Sequence, residues 1–350
     1  MKNKNLRRIF VGITVFMFVI TVVNTSYGEG RVTKTYDIGG ATVKVKIISS
    51  LMPTMLEGRI KEESGFYFLK MNFMDNFFSI NVPQRSYEKM TEQQQNDLVA
   101  AVLQLYGRSF EVSRAMLGYM PKGYRFNVTF GETQSGHPFN RVYAYSKTSN
   151  IYPDFLPFES KMIPGETINT PMIGLEESTM LHEIGHSIFA IVIGNIKNPK
   201  NKYMEEGFVD YFADKVLGRK SPHREAIEKI TITNAQAANI NGLSQLDVDV
   251  SIWGEEEALN SSTMEGYAGI THHHFGYEFI RTYIDVFGEK DLRGFLDRFR
   301  RTEERPDEGD YGTKRINDLL LKMGYPPKKV EEFQKMLHER LKKNIFNLTS

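Results

Sequence analysis

Two histidines four residues apart, with a glutamate directly after the first, are the side chains here best suited to chemistry: His182-Glu183-Ile184-Gly185-His186. On a helix, positions i and i+4 share one face, one turn apart, so both imidazoles can converge on a single ion. That spacing suits zinc, which binds imidazole nitrogen at ~2.0–2.1 Å. Glu183 then reaches over the metal toward a bound water, takes its proton as general base and passes it to a leaving amine. The bland alternative is a buried helix with two hydrogen-bonded histidines and an incidental glutamate. The run Ile188-Phe189-Ala190-Ile191-Val192-Ile193 is read as core and needs no functional account. A tetrahedral catalytic zinc takes three protein ligands and leaves the fourth position open. The chain has no cysteine, so the third ligand must be His, Asp or Glu. The same absence excludes disulfides, thiolate metal sites, cysteine catalysis and lipid attachment to an N-terminal cysteine.

The pattern H-E-x-x-H-x-x-G-x-x-H requires glycine at 189 and histidine at 192; Phe189 and Val192 exclude that arrangement. Downstream comes Tyr203-Met204-Glu205-Glu206-Gly207-Phe208-Val209-Asp210. Here the sequence resembles the gluzincins, the thermolysin-like and aminopeptidase-like branch of zinc peptidases. Their third ligand is a glutamate from a second helix, in patterns such as Asn/Glu-Glu-Gly-Phe-Ala or Glu-x-x-x-Asp. The resemblance implies Glu206 as that ligand and Asp210, one turn later, as a carboxylate orienting a zinc-bound histidine. Glu205 competes with Glu206 for the ligand role; the alternative for Glu205 and Asp210 is solvated charge at a helix start.

Family members supply an oxyanion donor from a Tyr or His on a later helix, in a pattern like Tyr-x-x-Gly-x-x-Phe-x-x-Tyr-Leu-x-x-x-Tyr-Gly. In His273-His274-Phe275-Gly276-Tyr277-Glu278-Phe279 and onward to Gly288, the residues Gly276, Phe279 and Gly288 keep that spacing. The donor position falls on His273, with Tyr267 second and His272, His274 and Tyr277 close by; the alternative is that the three histidines merely open a helix. The aminopeptidase branch's Gly-x-Met-Glu-Asn segment has no counterpart. Gly165-Glu166-Thr167-Ile168-Asn169 differs from it and stands too close to His182, so an endopeptidase is expected. The resemblance further implies a Zn²⁺ cofactor, a peptide or protein substrate, and a strand along the cleft that pairs with extended peptide, expected at Ser160–Asn169. The competing expectation is a zincin-fold binding protein of the cell envelope without turnover.

Several elements must hold these residues. A nearly apolar helix is expected from Glu176 to Ile193, ending at Gly194-Asn195. Twenty positions separate His186 from Glu206, room for the chain to turn back into a helix from Glu205 to Leu217, stopped by Gly218. A third helix runs from His272 to Phe287, and a long one from Thr91 to Leu117, closed by Gly288 and Gly118. Alternation predicts strands at Ala41–Ile47, Gly65–Leu69, Tyr124–Phe130 and Arg141–Tyr145. Residues 146–174 read mostly as loop, and 219–262 as a polar surface excursion. The tail from Pro306 holds two helical patterns split by Gly324-Tyr325-Pro326-Pro327. The class is α+β: a zincin-like catalytic domain with a mixed sheet packed on the motif helix and a helical C-terminal half. The expected organisation is a signal peptide at 1–28, a small β-rich region at 29–90, the metallopeptidase domain at 91–305 and a helical tail at 306–350.

The chain has 350 residues, with 41% apolar and 25% charged side chains, the balance of a globular protein. Its 44 basic and 43 acidic side chains leave a net charge of +1, and no basic stripe is visible, so nucleic acid is not an expected partner. Lys2, Lys4, Arg7 and Arg8 precede an apolar run from Ile9 to Val23, and Ser26-Tyr27-Gly28 offers small residues for cleavage. That run of 15 residues is shorter than the ~18–20 needed to span a bilayer, which favours a cleaved signal over a retained anchor. Either way the body is expected outside the cytoplasm, secreted or in the cell envelope, with no membrane span after cleavage.

Overall fold

The computed structural model describes residues 31–38, 41–50, 59–61, 65–159, 170–172, 174–197, 201–237, 272–302 and 313–346. The expected signal segment, the expected cleft strand at 160–169, and Tyr267 lie outside the described residues.

Among the described residues, seven strands form one mixed sheet: β1 (Arg31–Ile38), β2 (Ala41–Ser50), β3 (Phe66–Phe73), β4 (Asn76–Pro83), β5 (Arg125–Thr129), β6 (Phe139–Tyr143) and β7 (Thr148–Tyr152). The order is β1-β2-β3-β4-β5-β7-β6. The first four pair antiparallel; β5 runs parallel to β4 and β7 parallel to β5, and β6 returns antiparallel on the outside. Val43, Val45 and Ile47 face the core while Thr42, Lys44 and Lys46 face solvent, the alternation of a strand covered on one side. Because β4 bonds to β5, the strands before residue 90 share a sheet with those that follow it.

A short helix α1 (Gln84–Tyr87) leads to α2 (Glu92–Leu117), which spans the crossover between the parallel strands β4 and β5. Thr91 opens α2 with a reciprocal cap: its side chain accepts from the Gln94 amide and Gln94 accepts in return, while Gly118 closes the helix at φ 62°. Its buried face, including Leu98, Val102, Tyr106 and Phe110, joins Phe78 and Phe126 of the sheet in the main core.

The helical half follows: α3 (Gly174–Val192), α4 (Lys202–Leu217), α5 (Pro222–Ala237), α6 (His272–Phe287), a 3₁₀ turn at Glu289–Asp291, α7 (Leu292–Thr302), α8 (Thr313–Lys322) and α9 (Pro327–Phe346). No helix among the described residues is long and apolar enough to cross a membrane.

Two expectations are corrected. The stretch read as loop after residue 146 contains β7, whose polar residues disguise it. Ser149 and Asn150 are buried because each has a partner: Ser149 Oγ lies 2.7 Å from Ser187 Oγ, and Asn150 Oδ1 accepts from Asn127 Nδ2 at 2.7 Å. The polar excursion after residue 219 opens with α5. Ser221 Oγ accepts from the Arg224 amide at 3.1 Å and Pro222 occupies the first helical position, a start signal present in the sequence.

Candidate metal centre

Three helices meet at the motif. Glycines let them approach: a Cβ on Gly185 of α3 would come within 2.9 Å of Val209 Cβ on α4, and one on Gly207 of α4 would lie 1.9 Å from the backbone of Gly276 on α6. On the other side, α3 is tied to the sheet edge. Asn140 of β6 donates from Nδ2 to the Glu183 carbonyl at 3.0 Å and to Ser187 Oγ, which also contacts Ser149. The motif helix is thus clamped between β6 and α4.

On that helix His182 and His186 project together, with their Nε2 atoms 3.2 Å apart. Glu206 Oε2 from α4 lies 3.3 Å from the first and 3.2 Å from the second. A tetrahedral ion with bonds of ~2.0–2.1 Å has ligand atoms about 3.3 Å apart, so the triangle has the right edge length. The opposite ring nitrogens are already engaged. His182 Nδ1 is 2.8 Å from Asp210 Oδ1, and His186 Nδ1 is 2.9 Å from Glu205 Oε1. Ionised carboxylates only accept, so the neutral rings carry their protons on Nδ1 and turn both Nε2 lone pairs inward. There they face a buried carboxylate oxygen that accepts no hydrogen bond among the described residues. Three converging lone pairs favour a positive charge between them, and these residues could hold one divalent metal ion.

Without a metal, protons take that place. Burial disfavours a charged His182, yet Asp210 and Glu206 outweigh it and push its pKa up to about 9. His186 is likewise raised well above its ordinary value, against burial, by Glu206 and Glu205. Burial works to raise Glu206 and Asp210, but the surrounding imidazoles hold both below the usual carboxylate range. Glu183 is different: burial raises it, and the nearby imidazoles only partly oppose the shift.

Glu205, weighed as a rival ligand or a solvated charge, is neither in position. Its neighbour Glu206 turns inward, whereas Glu205 is buried on the far side of the His186 ring and bridges to Lys202, whose Nζ donates to Oε2 at 2.6 Å. Each histidine therefore has its own orienting carboxylate. Asp210→Asn and Glu205→Gln are each expected to lower metal affinity ~10–100-fold, measured by competition with a chromophoric chelator. Unchanged affinity in either would show that its hydrogen bond does not organise the site.

Asp210 also gathers two further imidazoles. His273 Nδ1 of α6 lies 3.1 Å from Oδ2, and His223 Nε2 of α5 lies 3.9 Å from Oδ1. The His223 ring stands 4.6 Å from that of His182, and the His273 ring 5.4 Å from it. Of the α6 residues weighed as oxyanion donors, His273 lines the cleft. His274 is buried in the helix packing, and Tyr277 stacks beneath the Arg224 guanidinium at 4.1 Å. His223 was not anticipated, because its helix was not; the Ser221-Pro222 start was the signal that placed it.

The cleft in front of the histidines has a volume of about 610 Å³. His182, Glu183, His186, Glu206, His223 and His273 form its floor and one wall; β6 forms another. Among the described residues that strand is the last of the sheet, paired on one side with β7.

No protein-family model matches the chain, and no curated protein matches it. Solved structures do match, among them yeast LTA4 hydrolase in complex with bestatin, at 10% sequence identity and a TM-score of 0.35. That alignment covers 86% of this chain and 44% of the other, so this chain spans less than half the length of the protein it matches. A likeness of that degree establishes neither a family nor a substrate; what the structure itself shows is an α+β chain with a His/Glu cluster that could hold a metal ion.

Proposed function

We propose that the protein is an exported zinc metallopeptidase, most plainly an endopeptidase. The observation that carries the reading is the triangle of His182 Nε2, His186 Nε2 and Glu206 Oε2, with a glutamate of raised pKa beside it in an open cleft. Two imidazoles and one carboxylate form a donor set suited to catalytic zinc. When bound there, zinc supplies a Lewis acid for the scissile carbonyl and lowers the pKa of a water.

The chain's own residues do the rest. Glu183 accepts the proton of the attacking water and returns it to the departing nitrogen; a carboxyl raised by burial is suited to work in both directions. His273, its Nδ1 proton held by Asp210, donates to the developing oxyanion from Nε2 in its doubly protonated form. Asp210 and Glu205 fix the orientation of the two histidine ligands. The side of β6 that no described strand covers offers backbone groups to an extended peptide, which lays its scissile bond across the motif helix.

The purified protein is expected to hold one zinc per chain, to cut an unbiased peptide library, to lose that activity on chelation and to regain it when zinc is restored. Cleavage that survives complete metal removal would eliminate the proposal. Stoichiometric zinc with every peptide left intact would identify a binding protein of the same fold instead.

A further inference from the structure

We infer that the cleft takes a carboxylate of its substrate, as an acidic side chain or a C-terminal carboxylate, against Arg141 of β6. The inference rests on the peptidase reading above and names the substrate class for that cleft. Arg141 is exposed, lines the same cleft as His182 and Glu183, and directly follows Asn140, the residue that ties β6 to the motif helix. Strand alternation sets Phe139, Arg141 and Tyr143 on the face opposite Asn140.

A second guanidinium stands behind the first. Arg59 Nη1 donates to Tyr152 Oη at 3.4 Å and lies 5.9 Å from that ring's centre. Both arginines also lie close enough to the Tyr143 hydroxyl, Arg59 with the stronger influence, to hold its pKa below the ordinary phenol value. Neither has a carboxylate partner among the described residues. The contrast with other exposed arginines is direct: Arg108 pairs with Glu177 at 2.9 Å and Arg301 with Asp297 at 2.9 Å. Among the described residues, two guanidiniums without a carboxylate partner therefore gather around Tyr143, with Arg141 at the strand side of the cleft.

The opposite side carries Glu183, Glu205 and Glu206. A peptide carboxylate is drawn toward the arginines, so one acidic group sets the register of the chain along β6. Arg141 presents a planar fork to solvent that matches a carboxylate. Phe139, stacked on Tyr152 with ring centres 4.5 Å apart, adds an apolar shoulder beside it.

The test uses the zinc-loaded full chain and quenched fluorescent peptides. Each pair differs only by Asp against Asn at one position flanking the cleaved bond, and a further pair has a free or amidated C-terminus. One acidic position, or the free terminus, is expected to raise kcat/KM about tenfold over its neutral twin. Which pair responds tells side chain from terminus. Arg141→Glu should abolish that preference and favour a Lys-containing peptide. Equal cleavage of every pair by the wild type overturns the inference and leaves the peptidase reading standing. No cleavage of any peptide removes both.

Discussion

Replacing Glu183 by glutamine is expected to lower kcat about a thousandfold while leaving bound zinc unchanged, because proton transfer by one positioned carboxylate contributes ~10²–10⁴ in rate. The residue is not one of the three converging donors, which are His182 Nε2, His186 Nε2 and Glu206 Oε2. Glutamine has nearly the same shape and still accepts a hydrogen bond, but it cannot take up a proton. Glu183 is buried, and burial holds its pKa above the ordinary glutamate value. The amide therefore removes a costly buried charge rather than adding one, and the fold should tolerate it. Zinc measured by elemental analysis and turnover of one good peptide decide the matter. Turnover within tenfold of wild type would show that another group moves the proton. Loss of zinc along with turnover would mean that Glu183 helps build the site, not only the reaction.

The chemistry of this site was legible because it is local. H-E-x-x-H needs only a helix to put both imidazoles on one face, and the apolar residues around it made α3 plain. Helices α4 and α6 were legible for the same reason, with Gly218 and Gly288 marking their ends. Glu206 and Asp210 were reached through a motif likeness, and the structure brings both to the two histidines. What adjacent residues do was harder to read. Glu205 and Glu206 differ by one position, yet one faces the ring-nitrogen triangle and the other the back of His186. The crossing of α3 and α4 decides which, and no periodicity records it.

Non-local pairing hid the remainder. Strand β7 has buried Ser149 and Asn150 where an apolar pattern was sought; their partners, Ser187 and Asn127, stand 38 and 23 positions away. The parallel bond of β4 to β5 spans α2, so the strands that looked like an accessory region belong to the same sheet as the cleft strand. His223 was lost with its helix, although its ring packs 4.6 Å from that of His182.

The glycine after the third donor supports the other large effect. Gly207→Ala is expected to destabilise the protein by about 4 kcal/mol and to weaken zinc binding as well, the range reached by severe overpacking. Its Cβ would lie 1.9 Å from the Gly276 carbonyl carbon and 2.4 Å from that residue's Cα. These are backbone atoms of α6, so no side chain can swing aside and the helices must part. The reciprocal change is as severe: a Cβ on Gly276 would lie 1.8 Å from the Tyr203 carbonyl oxygen. Parting α4 from α6 separates Asp210 from His273, which now meet at 3.1 Å, and shifts Glu206 relative to the motif helix. Metal affinity should therefore fall with stability. A general cost of alanine in place of glycine is excluded by Gly294 in α7, where a Cβ meets nothing within 4 Å. There alanine should instead stabilise by ~0.5–1 kcal/mol, because a helix interior favours it. Denaturant unfolding of the metal-free variants separates packing from zinc binding. Gly207→Ala unfolding at the wild-type midpoint would mean that the two helices do not touch through their backbones, and that the donor triangle owes its shape to something else.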